Sequence, residues 1–356
     1  MELQQYLLNR GLNKLIEQYK IKVNRHSLFN NLVCLKYSQR ESPLEEKIVQ
    51  QCRGIILDEN NSWSIISYPY DKFFNYGEFN APELDWNTAK IYEKLDGSLM
   101  TLYHHKGQWQ VASSGKADAG GKVNDYKFTF AQLFWQVWNE LGYQLPKKTN
   151  YSFMFELLTP INQVVVRQDS NRLILHGVRN LTTLTEEEPE PWATKNQWQV
   201  VNTYSFDNKN LILNATKRLN PMKSEGYVVR DCHFKRLKIK SAEYVAISLL
   251  QSDSNYLAKR ILEVVVNNES SEFLTYYPQW INSYNRVKHK YDSLIEEIEQ
   301  KYCQHEHLSS PKDFALAVKH LPYSKVLFDL RNGRSNSIKD SLISIPRDKL
   351  AHLLNL

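Results

Sequence analysis

The strongest constraint on this fold is a change of texture near residue 241. Before it, apolar residues come in short runs or alternate with polar ones, at 54–58, 63–68, 91–92, 98–103, 109–112, 152–156, 164–166, 172–175, 226–230 and 234–240. Turn residues such as Asn60-Asn61 and Lys106-Gly107 separate several of them. One helix is legible there, over 126–141, where Phe130, Phe134, Val137 and Leu141 recur every three to four residues. Too few crossover helices remain for a parallel sheet, so the pattern predicts an antiparallel α+β domain. The acidic, proline-bearing stretch at 185–191 reads as a solvated loop. After Ser241 the period becomes helical. Ser241 caps a run through Leu250; Trp280, Tyr284, Val287, Tyr291, Leu294, Ile298 and Tyr302 form one apolar stripe; Ser310-Pro311 and Pro346 start further helices. The expected division is 1–244 and an all-helical 245–356.

Composition narrows the function classes. In 356 residues, 42% are hydrophobic and 24% charged, an ordinary globular balance. No apolar run reaches membrane-spanning length and the start lacks a signal-peptide pattern, so a cytoplasmic protein with no membrane partner is expected. Cys34, Cys52, Cys232 and Cys303 are too scattered for a disulfide framework or a cysteine zinc site. The net charge of +6 suits a polyanionic partner without requiring one. Residues 245–356 carry 14 basic and 13 acidic side chains, against 31 and 26 before them, so the excess lies in the first part. There is no P-loop pattern. His104-His105 fits a hairpin end and His305-x-His307 a solvated helix end better than metal sites.

Glu93-Lys94-Leu95-Asp96-Gly97-Ser98 is the segment with chemical promise, although Asp-Gly between two strand-like runs is by itself a common turn. Its weight comes from its ordered companions: Cys52-Arg53-Gly54 and Asp71-Lys72-Phe73-Phe74-Asn75 upstream; Phe153-Met154-Phe155-Glu156, Leu175-His176-Gly177-Val178-Arg179, Glu225-Gly226-Tyr227-Val228-Val229 and Lys238-Ile239-Lys240 downstream. The set resembles the nucleotidyltransferase motifs of covalent ATP-dependent ligases, and the Arg53 and Lys72 elements resemble the RNA ligase 1 family of T-even phage type. The resemblance spans about 37–240.

It implies an adenylation domain in which Lys94 attacks the α-phosphate of ATP to form lysyl-AMP. AMP then passes to an RNA 5′-phosphate, and a 3′-hydroxyl displaces it. The protein's part is positioning and neutralising phosphate charge. A free amine is mostly protonated at neutral pH, so neighbouring cations, a metal among them, must favour the neutral form of Lys94. By the same resemblance, Arg53 and Lys72 hold the β- and γ-phosphates, Glu156 the ribose hydroxyls, and Lys238 and Lys240 the α-phosphate; Tyr37 is a nucleotide contact. Asp96 and Gly97 form the turn presenting Lys94, and Glu225 orders water on Mg2+ or Mn2+. The family's second motif reads Ser-Lys-Gly-Ser, whereas this chain has Ser113-Ser114-Gly115-Lys116, which displaces Lys116 by one position. Glu269 and Glu272 are candidate oxygen ligands in the helical part. The implied substrates are single-stranded or broken-loop RNA ends, with a separate end-healing kinase–phosphatase as partner. A DNA ligase or capping guanylyltransferase would use the same lysine chemistry, usually with a barrel rather than helices after the Lys-x-Lys strand. A noncatalytic RNA-binding relative would be expected to have lost one of the charged motif residues.

Overall fold

The computed structural model describes residues 1–245 and 257–356. The chain divides into two compact units, Met1–Ser248 and Leu249–Leu356.

The first unit is α+β and is built on three sheets. One runs in the order β1 (Lys22–Arg25), β2 (Leu32–Lys36), β3 (Arg53–Asp58), β4 (Ser64–Ser67). A second joins β7 (Ser98–His105), β8 (Gln108–Ser113), β9 (Tyr151–Leu158), β10 (Arg172–Asn180), β11 (Glu186–Glu187) and β12 (Gln199–Val200). The third has the order β13 (Thr203–Tyr204), β6 (Lys90–Lys94), β14 (Gly226–Arg230), β15 (Arg236–Lys240), β5 (Phe74–Asn75). All pairs are antiparallel except β10–β12 and β15–β5.

Strand alternation sets what the third sheet presents. Ile91, Tyr227, Val229, Leu237 and Ile239 point into an apolar cluster with Leu84 and Ile212. The intervening residues Tyr92, Lys94, Val228, Arg230, Arg236 and Lys238 line a cavity on the other face. Helix α3 (Phe130–Glu140) packs its Leu133, Phe134, Val137 and Trp138 into the core of the second sheet. It starts later than the periodicity suggests, because Thr129 and Gln132 form a reciprocal capping box.

Three local expectations change. Helix α1 (Glu2–Tyr19) buries Leu3, Leu7 and Leu15 despite a break at Gly11 that blurs its period. Residues 164–166 are not a strand: the Val165 and Val166 amides turn inward to donate to buried Asp96 Oδ2, at 2.8 and 2.7 Å. The acidic stretch is not a solvated loop either. It forms β11 and the start of α4 (Pro189–Asn196), because Glu186 and Glu188 are the counter-ions of arginines on neighbouring strands.

The second unit is helical in its described residues. The stripe on helix Ile281–His305 buries Tyr284, Val287, Tyr291, Leu294 and Ile298 against Phe314, Val326, Leu327 and Leu350 of later helices. Ser310 caps helix Pro311–Val318 through the Asp313 amide. The Ser241 helix is described as far as residue 245, where the Ser241 hydroxyl accepts from the Tyr244 amide at 3.4 Å; 246–250 lie outside the described residues.

Candidate active site

Register brings the charged motif residues together. Gly226 on β14 lies opposite Lys94 on one side and Lys240 on the other, and Val228 lies opposite Lys238. Glu225, just before that strand, is buried between two ammonium groups. Its Oε2 accepts from Lys94 Nζ at 2.6 Å, and its Oε1 lies 3.5 Å from Lys240 Nζ. Lys94 and Glu225 are 131 residues apart in sequence.

A cavity of about 280 Å3 opens beside Lys94. One wall is the polar face of the third sheet; across from it stand Gly97, Leu99, Glu156 and His176 of the second. Gly97 must be glycine, because a Cβ there would meet the Leu157 carbonyl oxygen at 2.5 Å. Its amide donates to Glu156 Oε1 at 3.1 Å, which ties the Lys94 loop to the opposite wall. Asp96 is a brace rather than a lining group. It accepts from the two amides of residues 165 and 166 and, at 2.7 Å, from the Tyr244 hydroxyl.

Cation crowding is the site's main electrostatic property. Burial, then Lys240, Lys94, Lys72 and Arg53, push the Lys238 ammonium down from its ordinary value near 10.5 to about 7. Arg53 lies over the Phe73 ring at 5.2 Å, and its buried Nη1 has no hydrogen-bond partner. Lys72 sits over the rings of Tyr37 and Phe74 at 5.1 and 4.9 Å. It lines an adjoining cavity that shares Phe73 and Arg236 with the first.

Of the sequence candidates, Lys94, Arg53, Gly97, Glu156 and Lys238 line the main cavity. Glu225 reaches it by pairing with Lys94, and Lys240 only by lying beside Glu225. Tyr37 reaches the region only by supporting Lys72. Lys116 is not brought in: it is exposed on the turn after β8, where Lys36 instead bonds the Ser114 hydroxyl. Glu269 occupies the N-cap position of helix Ser270–Tyr276 in the second unit, without a side-chain capping bond, and Glu272 lies in its first turn. Among the described residues no group of three or more His, Cys, Asp or Glu could hold a metal.

Sequence reasoning missed Tyr70, His176, Arg230 and Arg236. Arg236 pairs with Glu186 (Nη1–Oε1 2.9 Å) and lies over the Tyr70 ring at 4.2 Å. Arg230 is held bidentately by Glu188 at 2.7 and 2.8 Å. Alternation was the available signal, since Arg236 precedes Lys238 by two residues on one strand and Arg230 follows Val228 by two on another.

The fold thus presents a cation-lined cleft on a largely antiparallel sheet, with a carboxylate-paired lysine at the end of one strand. The sequence profile of the RNA ligase family matches residues 51–244, and the chain belongs to that family. It is 26% identical over 296 residues to a protein of Autographa californica nuclear polyhedrosis virus described as a bifunctional polynucleotide kinase/RNA ligase, covering 76% of this chain and 41% of that one. It is 32% identical over 165 residues to an RNA ligase of Rhodothermus phage RM378, covering 36% of this chain and 37% of the relative. The chain thus spans about two fifths of the length of these relatives. An archaeal ATP-dependent RNA ligase superposes with a TM-score of 0.48 at 12% identity, over 85% of this chain and 83% of that one. No helix among the described residues is long and apolar enough to cross a membrane.

Proposed function

We propose that this chain is an ATP-dependent RNA ligase that carries AMP on Lys94. The observation that supports it best is the Lys94–Glu225–Lys240 arrangement beside a cavity holding Arg53, Lys238 and Glu156. Lys94 Nζ is aimed at the Glu225 carboxylate, and the crowding of cations that helps push the Lys238 ammonium down to about 7 surrounds them both. Neutral Lys94 attacks the α-phosphorus of ATP. The N–P bond forms, the bond to the β-phosphate oxygen breaks, pyrophosphate leaves, and Glu225 is the nearest carboxylate to take the amine proton. Lys238 and Lys240 neutralise the α-phosphate, and Arg53, with its unpartnered Nη1, and Lys72 hold the departing pyrophosphate.

A hard divalent ion suits this donor set: Glu225 would order a water on Mg2+ or Mn2+, ions that keep several waters beside phosphate oxygens. Bound there, it would supply further neutralisation of phosphate charge. In the later steps an RNA 5′-phosphate oxygen displaces Lys94, which regains its proton, and an RNA 3′-hydroxyl then displaces AMP to close the phosphodiester. We place the reaction in the cytoplasm, on single-stranded or broken-loop ends. The relative that names a polynucleotide kinase beside an RNA ligase supports a kinase that prepares those ends; a separate kinase–phosphatase is the form we propose.

The test is incubation with α-labelled ATP and magnesium, followed by a denaturing gel. Wild type should carry label, and Lys94→Ala should carry none while melting within a few degrees of wild type. A labelled Lys94→Ala protein overturns the assignment.

A further inference from the structure

His176 sits where the register between β10 and β9 shifts, between Leu175 and Gly177. Such irregularities re-aim a side chain, and this one lines the same cavity as Lys94. Tyr70 then fixes its protonation pattern. The Tyr70 hydroxyl lies 2.8 Å from the His176 carbonyl oxygen and 3.0 Å from His176 Nδ1. A phenol has one proton and a carbonyl can only accept, so that proton goes to the carbonyl and Nδ1 is the N–H that donates to the phenol oxygen. Burial pushes the Tyr70 hydroxyl well above its ordinary value, so the proton stays at neutral pH. The contact depends on Gly177, where a Cβ would meet the Tyr70 hydroxyl at 1.8 Å.

With Nδ1 turned to Tyr70, Nε2 is the ring nitrogen presented to the cavity. It is buried without a hydrogen-bond partner, and Glu156 Oε2 faces it at 3.4 Å. The other Glu156 oxygen is already occupied by the Gly97 amide. One imidazole nitrogen and one carboxylate oxygen thus stand side by side on the cavity wall, the imidazole nitrogen still without a hydrogen-bond partner. The two hydroxyls of a vicinal diol match that spacing, one for each group.

We infer that His176 joins Glu156 at the ribose of the nucleotide and reads one of its two hydroxyls, and that Tyr70 is the positioning residue that holds the His176 ring toward the cavity. This rests on the proposed ATP site and extends it to sugar selectivity.

The experiment compares ATP, 2′-deoxyATP and 3′-deoxyATP with the full chain, by calorimetric titration without divalent ion and by label transfer with magnesium. Wild type should favour ATP over each analogue by about tenfold. His176→Ala should bring its preference over one analogue to within twofold and keep the other, and Tyr70→Phe should weaken the same preference that His176→Ala removes. Equal weakening with all three nucleotides, or both preferences intact in His176→Ala, overturns the inference. Hydroxyl-dependent binding that His176→Ala changes, with no label transfer by wild type, would overturn the ligase reading and leave the role of His176 standing.

Discussion

The two units of the chain bury very different things. Among the described residues, the buried polar and charged side chains lie in the first unit, with Ser341 the one exception. The helical unit buries Val287, Leu294, Ile298, Phe314 and Leu350, with serine caps at two of its helix starts. The first unit sinks Glu225, Arg230, Asp96 and Arg236 beneath its surface and must neutralise each of them. Buried ion pairs contribute little net stability compared with apolar packing. A chain that keeps this many in one place is organised there for binding charge, and elsewhere for cohesion.

Three perturbations would break or sharpen that contrast. Glu186→Gln should have the largest effect, because it strips the counter-ion from the buried guanidinium groups of Arg179 and Arg236 together. A loss of about 3–5 kcal/mol is expected, read by urea denaturation of the full chain. A loss below about 1 kcal/mol would mean the acidic strand is dispensable. Ile298→Ala, which removes a fully buried side chain of the helical stripe, should cost about 2–5 kcal/mol by leaving a cavity. Label transfer at low temperature should stay within twofold of wild type; a proportional fall in transfer would tie the helical unit to the chemistry.

The smallest effect concerns Lys238. Its ammonium is pushed down to about 7 from near 10.5 in the unfolded chain. Between those values the unfolded state binds more protons than the native one, so stability rises with pH across that window. Below about pH 7 the penalty is present in full. Lys238→Met should therefore be the more stable protein at pH 6.5, with the advantage shrinking toward pH 10, while it loses label transfer. A stability gap constant across that range would show that Lys238 is not held against its preferred charge.

Much of the fold was legible because alternation and helical period survive in the sequence. β15 shows it well: Leu237 and Ile239 alternate with Arg236, Lys238 and Lys240. Where a local signal was broken, legibility failed. Gly11 interrupts the period of α1, and the capping box at Thr129 starts α3 later than its apolar residues suggest. The valines at 164–166 read as a strand because nothing local reveals the buried carboxylate of Asp96 that bends them. Lys116 was named from motif order alone, and the turn after β8 leaves it in solvent.

By itself, then, the sequence determined which residues share a face, the order of the charged motifs and the change from strand to helix near residue 241. Tertiary structure alone decided which faces meet. Glu225 reaches Lys94 across 131 residues only through the pairing of β6 with β14. His176 finds Tyr70 across 106, and Glu186 finds Arg236 across 50. The physical reason is that periodicity is a property of one segment, whereas register is settled by the joint burial of several. The partners of a charge are therefore unreadable until the sheets have closed around it.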